Sequence, residues 1–102
     1  MRKHERLEQT LKEAWIGDAV LCLYARSKIL LEDGLIESDK FVRMTSNKFL
    51  GVIGEASEVE AEIGRVYQHD GLAAAFEWID ERLLPHFRKQ EFNRQKRGGI
   101  SP

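Results

Sequence analysis

The placement of proline constrains the fold of this chain most strongly. The 102 residues contain only two prolines, Pro85 and Pro102, so the backbone through position 84 carries no residue that forbids a helix. No stretch alternates apolar and polar residues over the length of a strand, whereas apolar residues recur at helical spacing along most of the chain. The sequence therefore predicts an all-α fold.

Start and stop signals divide this helical chain. Thr10 and Glu13 have the spacing of a capping box, which predicts a first helix from Thr10 to about Leu31, ended by Gly34. Ser38 or Asp39 begins a second helix, and a third covers roughly residues 55–68. The fourth helix runs from residue 72 to 84 and is stopped by Pro85. Whether the second and third helices are separate is left open.

Composition restricts the class of protein. One cysteine, Cys22, excludes an internal disulfide, and no apolar run approaches the roughly 18 residues of a membrane span. With no apolar segment near the N-terminus, we expect a cytoplasmic protein that does not interact with membranes. A core of this size is small, so a dimer is plausible.

Positive charge is concentrated at the C-terminus. Residues 86–102 contain five Lys or Arg and one Glu, a net charge of +4, which leaves −5 for the rest of a chain whose net charge is −1. We divide the chain into a domain over residues 1–87 and a flexible basic tail over residues 88–102. Such a tail can bind a phosphate backbone, through Arg88, Lys89, Arg94, Lys96 and Arg97. A frayed, solvated terminus is the alternative.

Two acids fall at unexpected positions of the predicted helices. Asp18, in the run WIGDAVL, projects onto the same face as Ala14 and Leu21, and burying an unpaired carboxylate costs several kcal/mol. Glu60 lies beside small and apolar residues of the third helix; Gly17 and Gly64 lie close to the two acids. A carboxylate from each of two packed helices can hold Mg²⁺, which supports phosphodiester hydrolysis. Alternatively, Asp18 pairs with an arginine and Glu60 lies at the rim.

Three stretches resemble the ribonuclease III family. Residues 13–30, EAWIGDAVLCLYARSKIL, resemble its signature helix; residues 59–84, VEAEIGRVYQHDGLAAAFEWIDERLL, resemble its second acidic helix and the helix that follows; and residues 45–54, TSNKFLGVIG, resemble the segment between them. The resemblance implies a dimeric helical endonuclease domain that cleaves double-stranded or structured RNA, such as a ribosomal RNA precursor, with Mg²⁺. It assigns Asp18 and Glu60 as catalytic metal ligands.

Departures from the family pattern carry information as well. The family usually has acids at the positions of Ala14, Lys48 and Ser57, and a longer segment before the glutamate helix. A similarly reduced set of acids is typical of the Mini-ribonuclease III branch, which this chain resembles most. Asn47 and Lys48 are candidates for phosphate contact, or for an ordinary exposed turn. The alternative function is a non-catalytic ribonuclease III-like RNA-binding or assembly protein.

Overall fold

The protein folds into six α-helices, and no strand occurs among residues 2–99, the part that this computed structural model describes. The all-α prediction is confirmed. Of the predicted basic tail, residues 100–102 lie outside the described part. The helices are α1 (Lys3–Asp33), α2 (Ser38–Thr45), α3 (Asn47–Leu50), α4 (Ala56–Asp70), α5 (Leu72–Arg82) and α6 (Leu84–Gly99).

The first helix is longer than the sequence predicted at its N-terminal end. It begins at Lys3, so Thr10 lies inside the helix and the predicted capping box there is wrong. Residues 3–9 contain neither glycine nor proline, and the helix continues through them at little cost. The C-terminal prediction is confirmed: Gly34 takes the left-handed conformation (φ 74°), and its N–H donates to the carbonyl of Leu30 at 3.1 Å.

The middle of the chain resolves what the sequence left open. Ser46 is extended (φ −70°, ψ 151°), and its hydroxyl accepts a hydrogen bond from the Phe49 N–H at 3.1 Å. This cap divides the predicted second helix into α2 and α3. The third predicted helix is separate, as α4, and the Glu55 carboxylate caps it by accepting from the Glu58 N–H at 3.1 Å.

Pro85 does not end the helical part of the chain, contrary to prediction. α5 ends at Arg82, and α6 begins two residues later with Pro85 in its first turn. A proline is tolerated there because the N–H that it lacks has no partner in the first turn of a helix. The segment that the sequence marked as a basic tail is thus helical up to Gly99.

The core lies where α1, α4 and α5 meet. Its most deeply buried large side chains come from five different segments: Leu21, Leu50, Ile63, Ile79 and Leu83. No buried polar or charged residue occurs among the described residues. None of the described helices is both long and apolar enough to cross a membrane.

Candidate metal centre

Two glycines bring the backbones of α1 and α4 into direct contact. A Cβ on Gly17 would overlap the carbonyl oxygen of Glu60, and a Cβ on Gly64 would overlap the carbonyl oxygen of Glu13. The atoms in the way belong to the backbone, so no side-chain rotation could make room. This contact is what places residues 17–18 beside residues 60–64.

Asp18 and Glu60 come together at this contact. The Glu60 carboxyl is half-buried and lies within hydrogen-bonding reach of the Asp18 carboxyl. Burial, the hydrogen bond and the negative charge of Asp18 raise the pKa of Glu60 from 4.5 to about 7, and Glu55 adds to the shift. Glu60 is therefore partly protonated near neutral pH.

Asp18 itself is exposed, so the expectation that it is buried is wrong. The helical projection placed it correctly beside Ala14 and Leu21, which are buried, but also beside Leu11 and Trp15, which are 52% and 80% exposed. Asp18 lies at the edge of the buried face of α1. A carboxylate at this edge keeps access to water, so the folded protein does not have to bury an unpaired charge.

No cation among the described residues neutralises the two acids, because none of the ion pairs of residues 2–99 includes Asp18 or Glu60. The arginine nearest in sequence on α4, Arg65, is bound to Glu13 at 3.1 Å and to Glu62 at 2.6 Å. The alternative of an arginine paired with Asp18 is therefore not what the described residues show.

Two carboxylates satisfy the minimum that Mg²⁺ requires from protein. Magnesium retains several waters and is commonly held by one or two carboxylates together with substrate phosphate. No group of three or more ligating side chains occurs among the described residues. Ala14 is buried, Ser57 is half-buried and Lys48 is exposed, and none of them offers a carboxylate. The residues fit a sparsely coordinated Mg²⁺ and not a closed protein cage.

The predicted RNA-contacting residues lie in two places. Asn47 and Lys48 are exposed on the short helix α3. The other five cations are exposed along α6, where Arg88 donates to Glu32 at 3.0 Å. The structure does not bring these two groups together by any hydrogen bond or ion pair within residues 2–99.

One feature of the surface was missed by sequence reasoning. Apolar side chains at Leu7, Leu11, Trp15, Leu23 and Leu30 are each at least 48% exposed and follow one another at intervals of four, seven or eight residues. We call these five residues the exposed stripe of α1. The spacing of these apolar residues could have revealed the exposed stripe, because apolar positions on α1 extend around the helix beyond the width of one buried face.

The exposed stripe leads to an apolar groove. The groove has a volume of about 370 Å³ and lies between the C-terminal part of α1 and α2, with Ile29, Leu30, Ile36 and Phe41 among its lining residues. The Arg26 guanidinium lies over the Phe41 ring, 4.9 Å from its centroid. Leu30 belongs to both the stripe and the lining of the groove, so the two are continuous, and Asp18 lies between Trp15 and Leu23 of the stripe along α1.

Comparison of the chain with protein-family models, curated proteins and solved structures gave no match. The resemblance to the ribonuclease III family therefore rests on the three quoted stretches and stays a prediction. What can be said of the site rests on its own geometry.

Proposed function

We propose that the protein is a homodimeric, Mg²⁺-dependent endoribonuclease of the ribonuclease III class that cleaves double-stranded or structured RNA. One observation carries this proposal. Two carboxylates from different helices, Asp18 and Glu60, lie close together at a position that water can reach, and no cation within residues 2–99 pairs with either of them. Two acids kept this close raise each other's energy when both are ionised, and a divalent cation relieves the repulsion.

Bound Mg²⁺ would supply charge neutralisation at the scissile phosphate and activation of a water molecule. Asp18, exposed at the edge of α1, would contribute one carboxylate oxygen to the ion directly or through water. Glu60, half-buried on α4, would contribute the other and would release its proton when the ion binds. The backbone contact at Gly17 and Gly64 would fix the separation of the two carboxylates.

A specific observation also favours the non-catalytic alternative. The described residues offer two acidic ligands where the resemblance implies a larger set, because Ala14, Ser57 and Lys48 occupy the other positions. An inactive protein that binds or assembles RNA would keep the helices and lose the metal. The two functions separate on metal binding and on cleavage.

The Asp18→Asn variant tests the enzymatic proposal. With labelled duplex RNA and Mg²⁺, we expect the wild type to cut, EDTA to abolish cutting, and the variant to lose at least about 100-fold in rate, since a metal ligand contributes several kcal/mol to the transition state. Calorimetric titration with Mg²⁺ should show the same loss in affinity. Asp70→Asn, at the exposed end of α4, is the matched control and should keep full activity.

Wild-type protein that binds RNA, does not cut it, and shows no heat of Mg²⁺ binding would overturn the enzymatic proposal. The non-catalytic alternative would then stand, with Asp18 as an acid of no chemical role.

The exposed stripe of α1 supports the homodimer. Trp15 is 80% exposed. Burial of a large apolar side chain stabilises a protein or a complex by about 1.5–3 kcal/mol, and the exposed Trp15 does not contribute this stabilisation in the monomer. A second copy of the chain would cover the stripe and the groove. Because Asp18 adjoins the stripe, the two metal sites would lie at the edges of the interface.

We expect Trp15→Glu to convert the dimer into a folded monomer. The substitution puts a charge into the proposed interface and leaves the core untouched, so sedimentation should report a halved mass while circular dichroism is unchanged. Leu31→Glu is the control, because Leu31 is 81% exposed on a different face of α1. If the two variants sediment alike, the stripe is not the dimer surface.

A further inference from the structure

The charged residues of α6 divide into an anchored group and a free group. Near the start of the helix Phe87 is buried, and Arg88 donates to Glu32 of α1 at 3.0 Å. Glu91 accepts two hydrogen bonds from Arg43 of α2, at 2.8 Å and 2.9 Å. These contacts fix the first two turns of α6 to the C-terminal part of α1 and to α2.

The remaining cations of α6 have no acidic partner. Lys89, Arg94, Lys96 and Arg97 are exposed, and none of them forms an ion pair within residues 2–99. The one acid of the helix, Glu91, is already bound to Arg43. At 100° per residue, Lys89 and Lys96 lie within about 20° of each other on the side opposite Phe87, whereas Arg97 lies about 80° and Arg94 about 20° from Phe87. Four uncompensated positive charges thus fall within residues 89–97.

The contact between α6 and α1 is well separated from the candidate metal centre. Glu32, which holds Arg88, follows Asp18 by fourteen residues on the same helix, which corresponds to about 21 Å along the α1 axis. On a nucleic-acid duplex that distance is several base pairs. A ligand that contacts both places must therefore be long and carry negative charge along its length.

Building on the proposed function, we propose that Lys89, Arg94, Lys96 and Arg97 form a second phosphate-binding element, which holds the backbone of an RNA duplex in the part of α6 that follows the Arg88–Glu32 contact, away from the Asp18–Glu60 pair. Arg88, adjacent to Lys89, is an anchor of α6 and not an RNA contact. Recognition then requires a duplex that extends several base pairs beyond the cleavage point on one side.

The chemistry of α6 favours a polyanion over a lipid surface. A helix that lies in a membrane interface needs a broad apolar face directed outward. In α6, Phe87 is buried against the body and Leu84 is half-buried, which leaves Phe92 as the large apolar side chain that is exposed among the described residues. Besides Phe92, the side opposite Phe87 carries Asn93 together with Lys89 and Lys96, which suits phosphate oxygens.

Two neighbouring cations provide the sharpest test. RNA binding is measured by fluorescence anisotropy over a salt series, in EDTA so that no cleavage occurs. Each phosphate contact contributes about 0.7–0.9 to the slope of log affinity against log salt. We expect Lys89→Gln to reduce the slope by about that amount and Arg88→Gln to leave it unchanged. Equal slopes for the two variants would overturn the division into anchor and contact.

A fourfold variant tests the position of the element. The α6 variant has Gln at four positions: Lys89, Arg94, Lys96 and Arg97. The control variant has Gln at four other exposed cations, Arg2, Lys3, Arg6 and Lys12, so both variants lose four charges. For a hairpin of about 20 base pairs we expect the α6 variant to lose at least about 10-fold in affinity, and for one of about 4 base pairs, which is too short to reach both places, less than about 3-fold. The control should change neither. Equal losses for both hairpins, or equal losses in both variants, would overturn the proposal.

The same proteins are mixed with phosphatidylcholine vesicles that contain phosphatidylserine. Vesicle binding that the α6 variant loses while its RNA binding is intact would assign the helix to a membrane surface and overturn the proposal. These measurements do not depend on catalysis. A protein that binds as expected but does not cut RNA would refute the enzymatic proposal alone, and one that cuts RNA with an unchanged salt slope would refute the second contact alone.

Discussion

Gly17→Ala or Gly64→Ala is expected to destabilise the protein by about 3 kcal/mol or more, or to prevent folding altogether. Helix propensity alone predicts the opposite sign, because alanine favours an interior helical position over glycine by about 1 kcal/mol. The tertiary contact dominates, since the new methyl group would overlap the backbone of the facing helix at either position. Relief requires α1 and α4 to separate, which would loosen the buried core to which Leu21 of α1 and Ile63 of α4 both belong.

Thermal unfolding followed by circular dichroism measures this effect, with an expected fall in Tm of about 10 to 20 °C for a chain of this size. Gly54→Ala is the matched control: a Cβ there would stand at an ordinary 3.5 Å from Val59 Cγ2, so its Tm should stay near the wild-type value. The two glycines line one contact, and their effects should not add. A Gly64→Ala protein with unchanged Tm would mean that the helices do not approach as described.

Glu60→Gln is expected to stabilise the protein at pH 8, although it removes a charge that the proposed enzyme needs. The pKa of Glu60 is raised to about 7 in the folded state, against 4.5 when it is unperturbed. Below pH 4.5 both states are protonated, and Glu60 has no pH-dependent effect on stability. Between pH 4.5 and 7 the unfolded chain releases the proton while the folded protein keeps it, so stability falls as pH rises; above pH 7 the penalty is constant.

Removing the carboxyl should therefore raise the free energy of unfolding at pH 8 by about 1 to 2 kcal/mol, a value that is lowered to allow for the solvent that reaches the half-buried pair. At pH 4 the free energy of unfolding should not change. Urea unfolding at both pH values measures it. Glu58→Gln, exposed on the same helix, is the control. A destabilised Glu60→Gln protein at pH 8 would mean that an unrecognised cation holds the carboxylate.

Magnesium should make the wild type more stable than Glu60→Gln, which reverses their order of stability. An ion that binds the folded state stabilises it by mass action, so adding Mg²⁺ at pH 8 should raise the Tm of the wild type and leave that of Glu60→Gln unchanged. If Mg²⁺ raises the Tm of both proteins equally, the ion binds at a site other than the Asp18–Glu60 pair. This comparison reports on the metal without requiring a substrate.

The sequence by itself determined the helical class, the end of α1 at Gly34, the start of α2 near Ser38, and the placement of Asp18 and Glu60 on two different helices. These features depend on local rules: helical periodicity, the left-handed conformation of glycine, and side-chain caps. The same rules gave a wrong start for α1 at Thr10 and a wrong role for Pro85. A capping pattern can begin a helix or lie inside one, and a proline can end one helix or occupy the first turn of the next.

Only the tertiary structure decided the contacts that matter for function. The exposure of Asp18 follows from the width of the face that α4 covers, which the sequence of α1 does not contain. The division of α6 into the anchor Arg88 and the free Lys89 depends on where Glu32 and Arg43 lie, and those residues belong to other helices. The raised pKa of Glu60 likewise requires the approach of α1 at Gly17, a distance that is set by backbone packing between residues more than forty positions apart.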